Sequence, residues 1–218
     1  MGTLKLVGLG VALLAEAVEF LAPKGMHRCP HSPEAEEVWQ HQAGVTPYRP
    51  GELPECEIGR MVGTVREHAR PLRGPLSGQA CVYYLLLVEQ AGVIRVMERD
   101  GVPFALEDTS GRAIIEPALA SVALLLDHRE QVRALREATP LQDAVLARHG
   151  YDFPGADELV FYEGVIVVGE RVSVVGAGRR EPAGGSSQES DFRSPPPMQL
   201  RMADSHAARL SIASHRAR

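Results

Sequence analysis

Cys81-Val82-Tyr83-Tyr84-Leu85-Leu86-Leu87-Val88 is an uninterrupted apolar run of eight residues, with Pro75-Leu76-Ser77-Gly78 upstream and Ala91-Gly92 downstream. A run this short, closed by turn formers at both ends, suits a strand buried on both faces. Ala91-Gly92 is a turn, and Val93 to Glu98 is then the partner strand of a hairpin. Working upstream, Pro71 to Gly78 is a loop. Ile58 to Val65 reads as a strand whose glycines permit sharp curvature.

Downstream, Val102-Pro-Phe-Ala-Leu-Glu107 alternates with period two, so Val102, Phe104 and Leu106 should point inward. Asp108-Thr-Ser-Gly111 is a turn by composition, and Arg112 to Glu116 returns as a strand stopped by Pro117. Leu119 to Leu126 reads either as a strand end or as a short helix. Glu130 to His149 has helical periodicity broken at Pro140, which predicts two short helices ending at Gly150. Leu159 to Tyr162 and Val165 to Val168 are two more β segments. Gly169-Glu170 turns the chain into a last strand, Arg171 to Gly176. Six to eight short strands with a helical insertion predict an α+β, mostly β fold: a small closed OB-like β-barrel, shut to hide its edges, with an N-terminal helix.

The flanks read differently. Leu6 to Ala15 is ten residues without charge, preceded by Lys5 and followed by Ala15-Glu16-Ala17. Three readings of residues 1–22 stay open. One is a docking helix with Leu6, Leu9, Leu13, Ala17 and Phe20 on one face. The others are a signal peptide and a membrane-surface or short anchor segment. Residues 23–55 form a proline-rich connector in which Pro33 to Gln42 is a short helix, capped by Ser32 and pinned by Trp39, the single tryptophan. The domain itself spans residues 56–181. Residues 182–218 read as an unfolded linker (Gly-Gly-Ser-Ser-Gln-Glu-Ser, then Pro195-Pro-Pro197) and a basic tail whose last twenty residues form a short helix.

Hydrophobic residues make up 44% of the 218 and aromatics only 5%, so the core must be aliphatic. The net charge is −5, yet residues 199–218 hold four arginines and one acid, a net of +3 that leaves −8 for the rest. An acidic body gives no electrostatic case for nucleic acid, which would need Tyr83, Tyr84, Arg95 and Arg112 to share one basic, aromatic face. Three cysteines, Cys29, Cys56 and Cys81, argue against a disulfide framework.

No constellation carries complete chemistry. His27, Cys29, His31 and Cys56 have the ligand types for zinc, but His27, Cys29 and His31 stand two apart, which is wrong for a finger, so no metal is expected. Ser77 and Ser110 are turn serines outside any Gly-x-Ser-x-Gly elbow, and nothing ties His68 or His128 to a nucleophile. Cys81 reads as an inert core thiol. Glu107 and Asp108 are adjacent and face opposite ways on a strand. Gly176-Ala-Gly178 lacks a third glycine and a following helix, so no dinucleotide cofactor is expected.

Three segments taken together carry a resemblance: His68 to Tyr84, with "Pro-Leu-Ser-Gly, Cys-x-Tyr-Tyr"; Val102 to Pro117, with "Pro-Phe-x-Leu-x-Asp-x-x-Gly-Arg"; and Tyr162 to Gly176. Over residues 56–181 the chain resembles the GIDE (beside-a-membrane) domain of mulan-type mitochondrial E3 ubiquitin ligases and of many bacterial proteins. The resemblance implies a non-catalytic, membrane-adjacent protein-binding module, cytoplasmic or membrane-associated, or exported if residues 1–17 are a signal peptide. Its partner is a protein of unknown identity, with the membrane surface as a second contact and no small-molecule substrate. In that family a RING transfers ubiquitin, and no RING cysteines follow Arg180 here. Membership of the ligase family and an OB-type nucleic-acid binder are the alternatives. The barrel-surface residues that would meet a partner are Tyr84, Arg95 and Arg112. Pro75, Ser77, Gly78, Pro103, Phe104, Asp108, Gly111, Gly169 and Gly176 are motif residues that shape backbone, and such a motif reports fold rather than chemistry.

Overall fold

The computed structural model describes residues 31–133, 137–150, 158–183, 198–206 and 208–217. The predicted N-terminal helix and most of the predicted linker lie outside these residues. Among them, no helix is long and apolar enough to cross a membrane.

The chain runs through helix α1 (Ala35–Ala43), strands β1 (Pro47–Tyr48) and β2 (Gly59–Glu67), and the two-residue strands β3 (Leu72–Arg73) and β4 (Ala80–Cys81). It continues with β5 (Tyr83–Gln90), β6 (Val93–Gly101), β7 (Phe104–Asp108), β8 (Gly111–Glu116), β9 (Ser121–Ala123) and β10 (His128–Val132). Helix α2 (Pro140–Arg148), β11 (Leu159–Ile166), β12 (Arg171–Gly176), β13 (Gly178–Pro182), β14 (Met198–Ala203) and β15 (Ser211–Ser214) complete it. Among the described residues the fold is mostly β, as expected, with two α-helices.

The strands form two principal sheets. The larger has nine strands in the order β13-β14-β8-β7-β2-β12-β15-β9, with β1 added to β2. The smaller has four, in the order β10-β11-β5-β6. Tyr83, Leu85, Leu87 and Ile166 of the smaller sheet pack with Phe104, Leu106, Ile115, Val172 and Val174 of the larger in the main core. The opposite face of the smaller sheet, with Leu86, Val88, Val96, Leu159 and Phe161, packs against Val145 and Leu146 of α2. Strand β5 is therefore buried on both faces, which is why its sequence is apolar without alternation. Helix α2 starts on a capping box: the Thr139 hydroxyl accepts the Gln142 N–H at 3.3 Å, and the Gln142 side chain accepts the Thr139 N–H at 2.8 Å.

The closed barrel expected from sequence is not formed. Among the described residues no sheet closes on itself; the nine-stranded sheet ends at β13 on one side and β9 on the other. It is bent round all the same, because β12 passes through the single residue Ala177 into β13, so its sixth and first strands are successive stretches of one segment. Local strand signals count elements but do not specify how the last ladder closes, which depends on pairing between distant segments.

Four further readings change. The predicted helix beginning at Glu130 is instead strand β10, antiparallel to β11. Its apolar spacing straddled the boundary between a strand and the true helix, which starts at Pro140. Leu159 to Ile166 is one strand rather than part of two. Ser32 does not cap α1, whose N-cap is Glu34 with no capping side-chain bond; Ser32 bonds to β9's neighbourhood instead, as described below. The basic tail is not a helix. Residues 198–203 pair in parallel with β8, and 211–214 pair with β12 and, in parallel, with β9. Leu200 and Met202 are buried with Leu210 and Ile212 while Arg201 reaches outward, a period-two pattern that needs distant strands to reveal its meaning.

Candidate functional site

Pro75 to Gly78 form a tight turn in which Gly78 has φ +66° and donates its N–H to Gly74 O at 2.9 Å. The turn's N–H groups of Leu76 (2.7 Å) and Ser77 (3.2 Å) point at the Glu163 carboxylate, which is only 1% exposed. A buried carboxylate needs such donors, and main-chain N–H groups are the strongest neutral ones within reach. The "Pro-Leu-Ser-Gly" element is thus the seat of a buried glutamate. Ser77 Oγ accepts from the Gln79 N–H at 3.2 Å and is bonded to no histidine. A cavity of about 210 Å³ opens here beside Glu163, Asp127 and His128, but His128 Nε2 is engaged by Glu130 at 2.9 Å. Cys81 is fully buried, and burial, with Glu163 nearby, pushes its thiol up to about 11, so it is protonated and inert at neutral pH.

The second motif turn does the same kind of work. Asp108 Oδ1 accepts from the Ser110 N–H (2.7 Å) and hydroxyl (2.5 Å), and Oδ2 faces Arg49 Nε at 3.5 Å. These bonds, Ser110's foremost, hold the Asp108 carboxyl below its ordinary value. The Ser110 hydroxyl in turn accepts the Gly51 N–H at 3.0 Å. A Cβ on Gly51 would lie 2.3 Å from Ser110 O, so only glycine fits where the connector presses on this turn. Pro103 O accepts the Ala69 N–H at 3.1 Å, and Phe104 is fully buried. Gly169 turns at φ +90° and donates to Val65 O at 2.8 Å, and Gly176 pairs with Gly59.

The three residues predicted to meet a partner do not converge. Tyr84 is half-buried on β5 and donates its hydroxyl to Glu98 Oε1 at 2.7 Å. Arg95 is exposed on β6. Arg112 is exposed on β8, in the other sheet, with its guanidinium 3.3 Å from His68 Nδ1. Burial and the charges of Arg112 and Arg201 depress the His68 imidazolium. Glu98 also takes Arg148 Nε at 2.8 Å and His149 Nε2 at 2.7 Å, tying the end of α2 to β6. Burial alone would raise the Glu98 carboxyl; the bonds from His149, Tyr84 and Arg148 outweigh it and hold the group below its ordinary value of 4.5.

Among the described residues, no three His, Cys, Asp or Glu gather as a metal site. His27 and Cys29 lie outside them. His31 forms an antiparallel bridge with Leu125 beyond β9, with its ring edge-on to Trp39 at 5.0 Å. The Cys56 N–H bonds to Gly178 O at 2.8 Å at the start of β13, so the two stand at opposite ends of the nine-stranded sheet.

Sequence reasoning named Arg95 on β6 but missed the exposed apolar residues beside it. Val93 and Ile94 are each 37% exposed and Met97 48%, on a nine-residue strand at the edge of the smaller sheet. A second hollow, of about 250 Å³, lies at its far end where Arg99, bonded to Glu34 at 2.9 Å, meets Leu119 and Arg209. The available signal was the pair of apolar residues Val93-Ile94 directly after a turn, on a strand already assigned. Nothing local distinguishes an edge strand from an inner one.

No protein-family model matches the sequence, and neither a curated protein nor a solved structure matches the chain.

Proposed function

We propose that this chain is a non-catalytic protein-interaction module of the GIDE type, held beside a membrane by residues 1–22. One observation carries the protein-binding part. The side chains with chemical potential, Glu163, Ser77, Asp108, Glu98 and Cys81, are spent on holding turns, a helix end or the core together, while Val93, Ile94 and Met97 of β6 each leave more than a third of their surface exposed. Exposed apolar groups at a sheet edge are costly in water and mark a contact surface. The membrane part rests on Leu6 to Ala15, the longest uncharged apolar stretch of the N-terminal region.

Two experiments test the reading. Cells expressing the full chain and the chain lacking residues 1–22 are fractionated; equal solubility of both forms removes the membrane part. The full chain is then used as bait in its source cells. Reproducible, saturable capture of one protein supports the module, and turnover of an added substrate class by the purified chain overturns it.

A further inference from the structure

Among the described residues, β6, at nine residues, is the longest strand at the edge of either principal sheet. At the far end of the larger sheet, β9 is three residues long, and Ser32 bonds to the backbone of Val122 within it and of Leu124 just past it. At β13, the Cys56 N–H bonds to Gly178 O and the Arg180 N–H to Glu55 Oε1. Along β6, among the described residues, no backbone group of Val93 to Met97 bonds to anything but its hairpin partner β5. A strand's outward N–H and C=O groups form a template for another strand.

The ladder itself shapes this template. Val88 pairs with Val96 and Glu89 with Ile94, so Arg95 is the extra residue of a bulge. Leu87 pairs with Met97, and Leu87 and Glu89 lie two apart on β5, so Ile94 and Met97 fall on the same face, one bulge apart. Arg95 is the sole charge between Val93 and Met97. It has no carboxylate partner among the described residues, because Glu98 is taken by Tyr84, Arg148 and His149.

We propose that β6 is a strand-addition site for an extended segment of a partner protein in which a carboxylate, set to meet Arg95, lies between apolar residues that cover Ile94 and Met97. This deepens the interaction-module reading and rests on it. Main-chain bonds supply the affinity and the side chains the selection, as in other edge-strand recognition. Charge argues against other occupants. A second copy paired antiparallel about Arg95 sets that arginine against itself, and pairing about Met97 sets it against Arg99, like charges directly opposite being destabilising. Pairing about Val96 avoids this, and the self-association outcome below tests it. The chain's own stretch from Leu6 to Ala15 holds no carboxylate, but Glu16 follows it between Ala15 and Ala17; shifts of the Val93 to Met97 amides on removal of residues 1–22 would overturn the proposal in favour of that segment.

The probe is a capped heptapeptide, Thr-Val-Val-Glu-Val-Val-Thr, titrated to millimolar concentration into the full chain while backbone amide shifts are followed. The expected result is saturable shifts at Val93 to Met97 and at their β5 partners. The same peptide with Lys in place of Glu should bind about tenfold more weakly, and the one with Pro in place of Glu should not bind. Arg95→Glu should reverse the Glu/Lys preference, and Met97→Lys should abolish binding without unfolding the chain. Saturable shifts elsewhere, no shift at β6, or equal binding of the Glu and Lys peptides overturns the proposal. So does concentration-dependent self-association that moves the same amides without peptide. If the bait experiment captures a partner equally well with Met97→Lys, the module reading stands and strand addition falls.

Discussion

The edges at β9 and β6 are treated in opposite ways by the same chain. At β9 the protein uses a serine and a helix. Ser32 donates its hydroxyl to Val122 O at 2.7 Å, accepts the Leu124 N–H at 3.0 Å, and gives its own N–H to Leu124 O at 2.9 Å. Ala35 and Val38 of α1 then pack over Ala123 and Ala213. At β6 there is a strand three times as long, uncovered on its outer side by any described residue and with Val93, Ile94 and Met97 partly exposed. The difference teaches that openness at β6 is not a shortage of means. The bulge at Arg95 twists the edge and limits non-specific pairing, a common device of exposed edges, without closing it.

The comparison can be broken or sharpened by substitution. If the smaller sheet is held by its two faces and not by its edge, the largest loss comes from Phe161→Ala. This side chain is fully buried between β11 and α2, and its truncation should cost about 3–5 kcal/mol in chemical denaturation. Glu163→Ala strands two turn N–H groups in a buried place and should cost about 2–3 kcal/mol, with the amides of Leu76 and Ser77 exchanging faster. Ser32→Ala removes the side-chain half of the β9 cover. About 1–2 kcal/mol is expected, together with faster exchange at Leu124 and unchanged exchange along β6; loosening at both edges would show that they are not independent.

The Glu98 cluster gives a smaller, pH-dependent effect. Its carboxyl sits below its unfolded value in the native state, so its contribution to stability is present above about 4.5 and is lost as the pH falls through the lower native value. The stability difference between the native chain and Glu98→Gln should therefore shrink as urea denaturation is repeated from pH 6 down to pH 3. A difference that stays constant would show that the Tyr84, Arg148 and His149 contacts do not depend on charge. The smallest effect is expected at the open edge: Met97→Lys should change stability by less than about 0.5 kcal/mol, since about half of that side chain is already exposed, at 48%. A large loss there would mean that β6 is covered.

Much of the molecule was legible locally. The run from Cys81 to Val88 announced a strand buried on both faces, Ala91-Gly92 its hairpin, and Phe104 and Leu106 an inward row, because each signal depends only on neighbours in sequence. The motif turns were legible as turns, but their purpose was not, since Glu163 lies 86 residues from Ser77 and Gly51 lies 59 from Ser110. The candidate surface was the least legible: Tyr84, Arg95 and Arg112 were chosen for residue type, and strand order scattered them over two sheets.

By itself, the sequence determined a mostly β chain with an aliphatic core and the positions of most strands and turns. Composition and short-period patterning act within a few residues, and these features need no more. Only the tertiary structure decided that the sheets stay open, that the tail from Met198 to Ser214 supplies two strands, and which edge is left bare. Strand pairing is set by contacts between segments far apart in the chain, and a strand carries no local mark of whether a neighbour will lie on one side of it or on both.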